Sequence, residues 1–126
     1  ISDTVVDAVG SITNKGLFRP RDVIYVEQEK FVMFRFQRFP IIGKGLFSDA
    51  RQADHSVPST LTIRNVLSCK IENTGQCNEI SILFGMKIKD NEVFLSSAEE
   101  SHGITCYSLH CEILAVDVEI ADESIR

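Results

Sequence analysis

The sequence predicts an all-β domain, a two-layer antiparallel β-sandwich of about seven short strands with immunoglobulin-like architecture. Hydrophobic and polar residues alternate along most of the chain, and turn-forming residues separate the alternating segments. No segment shows the spacing of an ordinary amphipathic helix. A small β-barrel of the OB type is the alternative, although the regular glycine bends that close such a barrel are missing. Tryptophan is absent, so the immunoglobulin-like label describes architecture only.

The composition is that of one globular domain. The chain has 126 residues, of which 44% are hydrophobic and 25% are charged, and these values are ordinary for such domains. No apolar run approaches the ~20 residues of a membrane span, so a membrane is not an expected partner. Because the chain opens at Ile1 without a signal peptide, we expect residues 1–126 to form a single domain of a longer protein.

The first third of the chain predicts three strands. Residues 4–12 favour a strand over a short helix because many of their side chains are β-branched. Residues 23–26 form the next strand, and a charged turn covers residues 27–30. Residues 31–39 form a third strand with apolar side chains on both faces, which Pro40 ends.

Residues 41–59 form the longest irregular stretch, with one helical turn near residues 49–53. A loop of this length is uncommon in a compact domain and often carries function. Because Ile42, Leu46 and Phe47 are apolar, we expect this loop to fold onto the domain or to contact a partner.

The clearest alternation lies in the middle of the chain. Apolar residues occupy the odd positions of residues 61–71, apart from Asn65, and the even positions of residues 80–88, which is the pattern of two half-buried strands. Turn-forming residues fill positions 73–78 between them. We therefore predict an antiparallel hairpin over residues 60–89.

The last third of the chain predicts a turn, a short strand and a long bent strand. Asp90-Asn91 marks the turn, residues 93–95 form the short strand, and Ser97 begins one capped helical turn. Residues 104–120 are long for one straight strand, and their hydrophobic phase changes at Ile113-Leu114. A bulge or sharp bend there would place both apolar sets on the core face.

The four cysteines permit two disulfides with three possible connectivities, and two observations favour reduced thiols instead. A domain of this length is stable without disulfides, and Cys69 and Cys106 lie in apolar strand segments where free cysteine acts as a small hydrophobe. Reduced thiols predict an intracellular location. No metal or other cofactor is expected, because the cysteine spacing is unlike that of a zinc site and His110 and Cys111 would point to opposite faces of a strand.

The sequence does not predict an enzyme. It contains neither a Gly-x-Ser-x-Gly nucleophile elbow nor a His-Glu-x-x-His motif. Its three histidines, His55, His102 and His110, are not in a pattern that brings an acid, a base and a nucleophile together. We therefore expect no catalytic residues.

Nucleic acid is the alternative partner. Residues 15–51 carry eight basic and four acidic side chains, whereas the whole chain has a net charge of −5. The acidic total disfavours a uniformly basic nucleic-acid binder. Strand 31–39, however, interleaves phenylalanine with arginine, and this combination suits single-stranded nucleic acid because aromatic rings stack on bases.

Protein binding is the function that the sequence favours. If the odd-numbered residues of strand 31–39 face outwards, they present aromatic, methionine and arginine side chains, which are enriched at interface cores. We therefore predict a non-catalytic interaction module that binds another protein or a peptide segment, with its oligomeric state left open. The expected binding residues are Phe31, Met33, Arg35, Phe39, Ile42, Leu46 and Phe47.

Overall fold

The structure, a computed structural model, is all-β and antiparallel, which confirms the predicted class. It describes residues 9–10, 12–39, 41–42, 51–52, 56–74, 80–99 and 103–123, with the backbone alone at 41–42 and 51–52. The strands are β1 (Leu17–Phe18), β2 (Ile24–Val26), β3 (Phe31–Arg38), β4 (Ile41–Ile42), β5 (Arg51–Gln52), β6 (Val57–Ile63), β7 (Val66–Asn73), β8 (Ser81–Leu83), β9 (Lys87–Lys89), β10 (Glu92–Glu99), β11 (Thr105–Ile113) and β12 (Val118–Asp122).

Ten of these strands form one continuous sheet, which is more strands than the seven or so that the sequence predicts. The order is β12-β6-β3-β1-β8-β10-β11-β7, with β2 also paired to β3 and β9 also paired to β10. Strands β4 and β5 form a separate two-stranded ribbon. A turn of 3-10 helix, Pro20–Asp22, joins β1 to β2.

The sheet is folded over into two layers. Strands β6 and β7 stand second and last in the order, although only residues 64 and 65 connect them. The connection from β11 to β12 runs beside this one, because the Leu114 N–H donates to the Asn65 carbonyl oxygen at 2.9 Å and the Arg64 N–H donates to the Asp117 carbonyl oxygen at 2.9 Å. The sheet therefore curves over on itself, which is consistent with the sandwich or barrel-like class, with β12, β6 and β3 in one layer, β7, β11 and β10 in the other, and β1 and β8 joining them.

The core lies between the two layers. Phe18 of β1 contacts both, since its ring centroid is 5.6 Å from that of Phe34 and 5.5 Å from that of Tyr107. The buried residues around it come from both layers and form one hydrophobic cluster, which includes Val32, Phe36, Leu61, Ile63, Val93, Leu95, Leu109, Cys111 and Ile113. Alternation along each strand places these side chains inwards.

Two buried serines lie where β8 and β10 pair. Ser81 and Ser97 are fully buried, and their hydroxyl oxygens are 2.9 Å apart. Ser97 therefore does not cap a helical turn. Strand β10 continues to Glu99 because this segment pairs with both β8 and β11, and the capped turn predicted at Ser97 is wrong.

The predicted central hairpin is also wrong. Asn65 has a φ of 59°, which ends β6 and redirects the chain into β7. Strand β7 pairs with β11, whereas β8 pairs with β1 and β10. The pairing with β11 is irregular beside Val66, where Leu67 has no register partner, and Leu67 and Ile71 are 51% and 44% exposed. The odd positions that looked continuous from residue 61 to residue 71 therefore belong to two strands.

The described part of the N-terminal segment is helical where a strand is predicted. Val9, Gly10, Ile12 and Thr13 adopt helical conformation, whereas residues 4–8 lie outside the described residues. The buried Thr13 hydroxyl donates to the Val9 carbonyl oxygen at 2.8 Å and accepts the Met86 N–H at 2.8 Å. These two bonds explain the helical turn, because they satisfy the hydroxyl while tying the segment to the sheet.

Several other predicted elements are confirmed. Residues 27–30 form a turn, and Asp90 and Asn91 both have positive φ, at 51° and 59°, in the tight hairpin between β9 and β10. The chain bends after Ile113, where β11 ends, and Val116, Val118 and Ile120 then pack against the core, whereas Leu114 is 68% exposed and does not face the core as predicted. Strand β5 lies where a helical turn is predicted near residues 49–53, so that prediction is wrong at Arg51–Gln52.

None of the described segments is a helix with the length and hydrophobicity to cross a membrane.

Candidate binding surface on β2 and β3

The two faces of β3 have different environments. Val32, Phe34 and Phe36 are at most 2% exposed and form part of the core. Met33 and Arg35 therefore lie on the outer face, because neighbouring residues of a strand point in opposite directions. The predicted binding role requires the odd-numbered residues of this strand to face outwards, and Met33 and Arg35 do so.

Strand β2 extends this outer face with another apolar side chain. Ile24 lies opposite Met33 in the antiparallel pair, and residues directly opposite each other share a face. Ile24 is 49% exposed, and Met33 is partly exposed. On the other side of Met33, Thr62 of β6 continues the row. The result is a short apolar strip that remains open to solvent.

Two shallow hollows flank Arg35. The first, of about 300 Å³, is lined by Arg21, Ile24 and Met33 among others, and the second, of about 350 Å³, by Leu17, Arg19 and Ile80 among others. Both are lined by Asp22 and Arg35. The 3-10 turn after β1 brings Arg21 and Asp22 to this position, because Pro20 fixes its backbone at the start of the turn.

Arg35 forms an exposed ion pair. Its Nη2 atom lies 2.7 Å from Oε1 and 2.8 Å from Oε2 of Glu123. The side chains of Arg35 and Glu123 are 65% and 39% exposed. Exposed pairs of this kind contribute only ~0–1 kcal/mol, because water competes for both charges. Arg35 is therefore held in place weakly.

Arg38 forms a more extensive interaction at the end of β3. Its guanidinium binds both carboxylate oxygens of Asp122, and the Ser59 hydroxyl donates to Asp122 Oδ1 at 2.7 Å. These hydrogen bonds from Arg38 and Ser59 lower the pKa of Asp122 to about 2, because they stabilise its charged form. The interaction links β3, β6 and β12 and has a structural role.

The structure brings together only part of the predicted binding set. Arg35 lines both hollows and Met33 lines the first of them, whereas Phe31 and Phe39 are partly buried. Of the predicted loop residues, Ile42 lies in β4 with its side chain outside the description, and Leu46 and Phe47 lie outside the described residues.

Two residues of this surface, Ile24 and Asp22, are not among the binding residues predicted from the sequence. Ile24 belongs to a short strand, and three residues are too few for alternation to show which side chain faces outwards. Asp22 is brought to the hollows by the 3-10 turn. The proline before a charged pair was the available signal for that turn.

The outer face of the other layer carries an aromatic pair. The rings of Phe94 and His110 are stacked, with centroids 4.7 Å apart and planes 11° apart. His110 Nε2 also lies 3.0 Å from Glu92 Oε1. Cys111 is completely buried on the opposite face, which confirms that His110 and Cys111 point in opposite directions. Within the described residues, no group of three potential metal ligands converges.

The cysteines differ from one another in oxidation state. Cys69 and Cys111 are free thiols, as expected, whereas Cys106 is disulfide-bonded. The expectation of reduced thiols is therefore wrong for Cys106. The apolar strand around Cys106 gave no signal of this, because buried free and bonded cysteines occupy similar surroundings.

No protein-family model, curated protein or solved structure matches the chain. The function must therefore be inferred from the geometry and chemistry of the surface on β2 and β3.

Proposed function

We propose that the domain is a non-catalytic protein–protein interaction module that binds a protein or a peptide segment through the outer face of β2 and β3. The observation that carries this proposal is the position of Arg35 between two hollows, beside the open strip of Ile24 and Met33. An apolar contact area next to a directional charged group is the combination that anchors protein interfaces.

The apolar strip supplies the contact area. Ile24 is 49% exposed, and its partner Met33 is flexible enough to adapt to different side chains. A partner with one apolar side chain seated on Ile24 and Met33 would remove apolar surface from water, which is favourable. The proposed partner therefore contributes an aliphatic or aromatic residue at this point.

Arg35 supplies the directional contact. Its ion pair with Glu123 is exposed, so exchanging Glu123 for a carboxylate of the partner costs little. A guanidinium binds a carboxylate through two parallel hydrogen bonds. We therefore expect the partner segment to carry an acidic residue next to its apolar residue.

Single-stranded nucleic acid remains the second candidate because Arg19, Arg21 and Arg35 line the hollows. Two observations favour a protein partner. Phe34 and Phe36 are buried in the core, so they are not available to stack on bases. The hollows also contain Asp22, which would repel phosphate groups.

The cellular location remains a prediction. An intracellular location was expected because the thiols were expected to be reduced. The disulfide at Cys106 is more typical of an oxidising compartment. It therefore weighs against the intracellular location while leaving the proposed binding surface unchanged.

Selection of random displayed peptides on the immobilised domain tests the proposed function. We expect the enriched peptides to share an acidic residue next to an apolar one. Synthetic copies are then titrated by calorimetry against the native domain, Arg35→Ala and Met33→Ala. Each substitution should weaken binding by ~2 kcal/mol, since truncating an interface anchor costs about this much.

Lys87→Ala is the matched control, because Lys87 is an exposed residue of β9 in the other layer. It should bind the peptides as the native domain does. Failure to enrich any peptide, or an affinity of both Arg35→Ala and Met33→Ala equal to that of the native domain, contradicts the proposal. Tight binding of a single-stranded oligonucleotide that weakens steeply with salt and is lost in Arg35→Ala would favour the second candidate.

A further inference from the structure

Two free thiols lie directly opposite each other on neighbouring strands. Cys69 of β7 is the register partner of Cys111 of β11, and neither is in a disulfide. Directly opposed residues point to the same face of a sheet. Cys111 is completely buried, whereas Cys69 is partly exposed, so the pair is reachable from solvent through Cys69.

The backbone hydrogen bonds show that the two thiols are in the closer type of antiparallel pair. The Thr74 N–H donates to the Cys106 carbonyl oxygen at 3.0 Å, which makes Asn73 and Tyr107 a non-hydrogen-bonded pair. Pair types alternate along a ladder, and the register is regular back to Cys69 and Cys111. These cysteines are therefore also a non-hydrogen-bonded pair.

This pair type suits a disulfide. Its Cα atoms are ~4.5 Å apart in antiparallel sheets, which falls within the ~4.4–6.8 Å that a disulfide requires. The side chains also approach more closely here than in hydrogen-bonded pairs. A bond between the two sulfur atoms is therefore compatible with the existing sheet.

The two sulfur atoms have different chemical roles. The Cys111 thiol donates a hydrogen bond to the Cys69 sulfur, and this bond lowers the pKa of Cys69. The same bond, together with burial, raises the pKa of Cys111. Because Cys69 is partly exposed whereas Cys111 is completely buried, a reactant reaches Cys69 first, so Cys69 is the attacking group and Cys111 is the second, resolving thiol.

We propose that Cys69 and Cys111 form a reversible dithiol–disulfide site that reacts with a disulfide-containing reactant. The Cys69 thiolate attacks one sulfur of the reactant, so that a mixed disulfide forms and one thiolate leaves. Cys111 then attacks the Cys69 sulfur while its proton passes to the departing reactant sulfur, which leaves as a thiol, and the thiolate released in the first step takes up the proton that Cys69 gave to solvent on ionising. Overall, two protein thiols are oxidised to one disulfide and one reactant disulfide is reduced to two thiols.

The bond would fix an outer strand of the sheet. Among the described strands, β7 pairs only with β11, and its residues Leu67 and Ile71 are substantially exposed. A covalent link at the middle of the β7–β11 pair would resist separation of β7 from the sheet. Oxidation should therefore slow amide hydrogen exchange along β7.

Oxidised glutathione is the probe for the test. After acid quenching and alkylation, peptide mapping of the native protein should show a link between Cys69 and Cys111, and the circular dichroism spectrum should be unchanged. In Cys111→Ser the reaction should stop at a stable glutathione adduct on Cys69. In Cys69→Ser the reaction should slow about tenfold or more, because Cys111 is buried.

Ser68→Ala is the matched control, because it changes an exposed neighbour of Cys69 and should react like the native protein. If both thiols of the folded native protein remain alkylatable after exposure to oxidised glutathione, the proposal is wrong. It is also wrong if each cysteine forms its own adduct without a link between them. The native protein alone decides these outcomes, so they do not depend on the folding of either cysteine variant.

Discussion

At the scale of single residues, Asp122 has a strongly perturbed environment. It binds Arg38 and the Ser59 hydroxyl, and these contacts lower its pKa to about 2 from an ordinary value of 3.8. A group whose pKa is lowered by folding stabilises the native state above its unfolded pKa. That stabilisation is lost as the pH falls through the folded value.

Asp122→Asn should therefore be less stable than the native protein at neutral pH. The difference should shrink as the pH falls from about 4 to about 2, because the native carboxylate becomes protonated over this range. Urea unfolding followed by circular dichroism at several pH values measures the effect. Glu123→Gln is the control, since the exposed pair of Glu123 with Arg35 contributes little. A difference that is the same at pH 7 and at about pH 2 would contradict the prediction.

The division of β3 into two faces could be predicted from the sequence, but the choice between the faces could not. Both faces of the strand carry large apolar side chains, so alternation alone does not identify the core. The structure decides it through Phe18, which packs against Phe34. The partly exposed position of Met33 follows from that contact.

At the scale of the strands, the turn at Asn65 determines how the sheet folds over. Its φ of 59° lies in the left-handed region, which asparagine tolerates better than most residues. Asn65 is exposed, and its carbonyl oxygen accepts the Leu114 N–H at 2.9 Å. The backbone conformation of Asn65, rather than its side chain, therefore stabilises this turn.

Asn65→Gly should be as stable as the native protein within ~0.5 kcal/mol, because glycine adopts positive φ without strain. Asn65→Val should lose ~1–2 kcal/mol, because a β-branched side chain is strained there. Urea unfolding measures both variants. An equal loss for both would show that the asparagine side chain, and not the backbone conformation, is what matters.

The elements that depend on local signals were the ones that the sequence could predict. The Asp90-Asn91 turn and the charged turn at 27–30 are formed by residues that prefer such conformations. The partners of β7 and β8 were not predictable in this way, because pairing is decided by contacts between distant parts of the chain. Apolar residues occupy odd positions both before and after Asn65, and this shared phase concealed the turn.

At the scale of the whole molecule, the two layers depend on contacts made by Phe18. Its ring touches Phe34 in one layer and Tyr107 in the other, and it is 3% exposed. Strand β1 contains only two residues, yet it joins β3 to β8. Packing of Phe18 between the layers therefore supports the fold where the backbone pairing is shortest.

Phe18→Ala should destabilise the protein by ~3–5 kcal/mol, the usual cost of removing a buried phenylalanine. Circular dichroism and tyrosine fluorescence should still report one shared unfolding transition. The side chain that is removed contacts both layers, so its loss should destabilise the two layers together. Phe94→Ala is the control, since Phe94 is 42% exposed and its removal should cost less than ~1 kcal/mol. Separate transitions for the two signals would contradict the prediction.

The two buried serines have a consequence for how the chain selects its final structure. In the native register, the hydroxyls of Ser81 and Ser97 satisfy each other at 2.9 Å. A shift of β8 by one residue along β10 would turn Ser81 towards the opposite face and leave Ser97 without this bond. A buried polar group without a partner costs ~1–3 kcal/mol. The pair therefore penalises misaligned sheets and favours a single alignment among several that would bury similar amounts of hydrophobic surface.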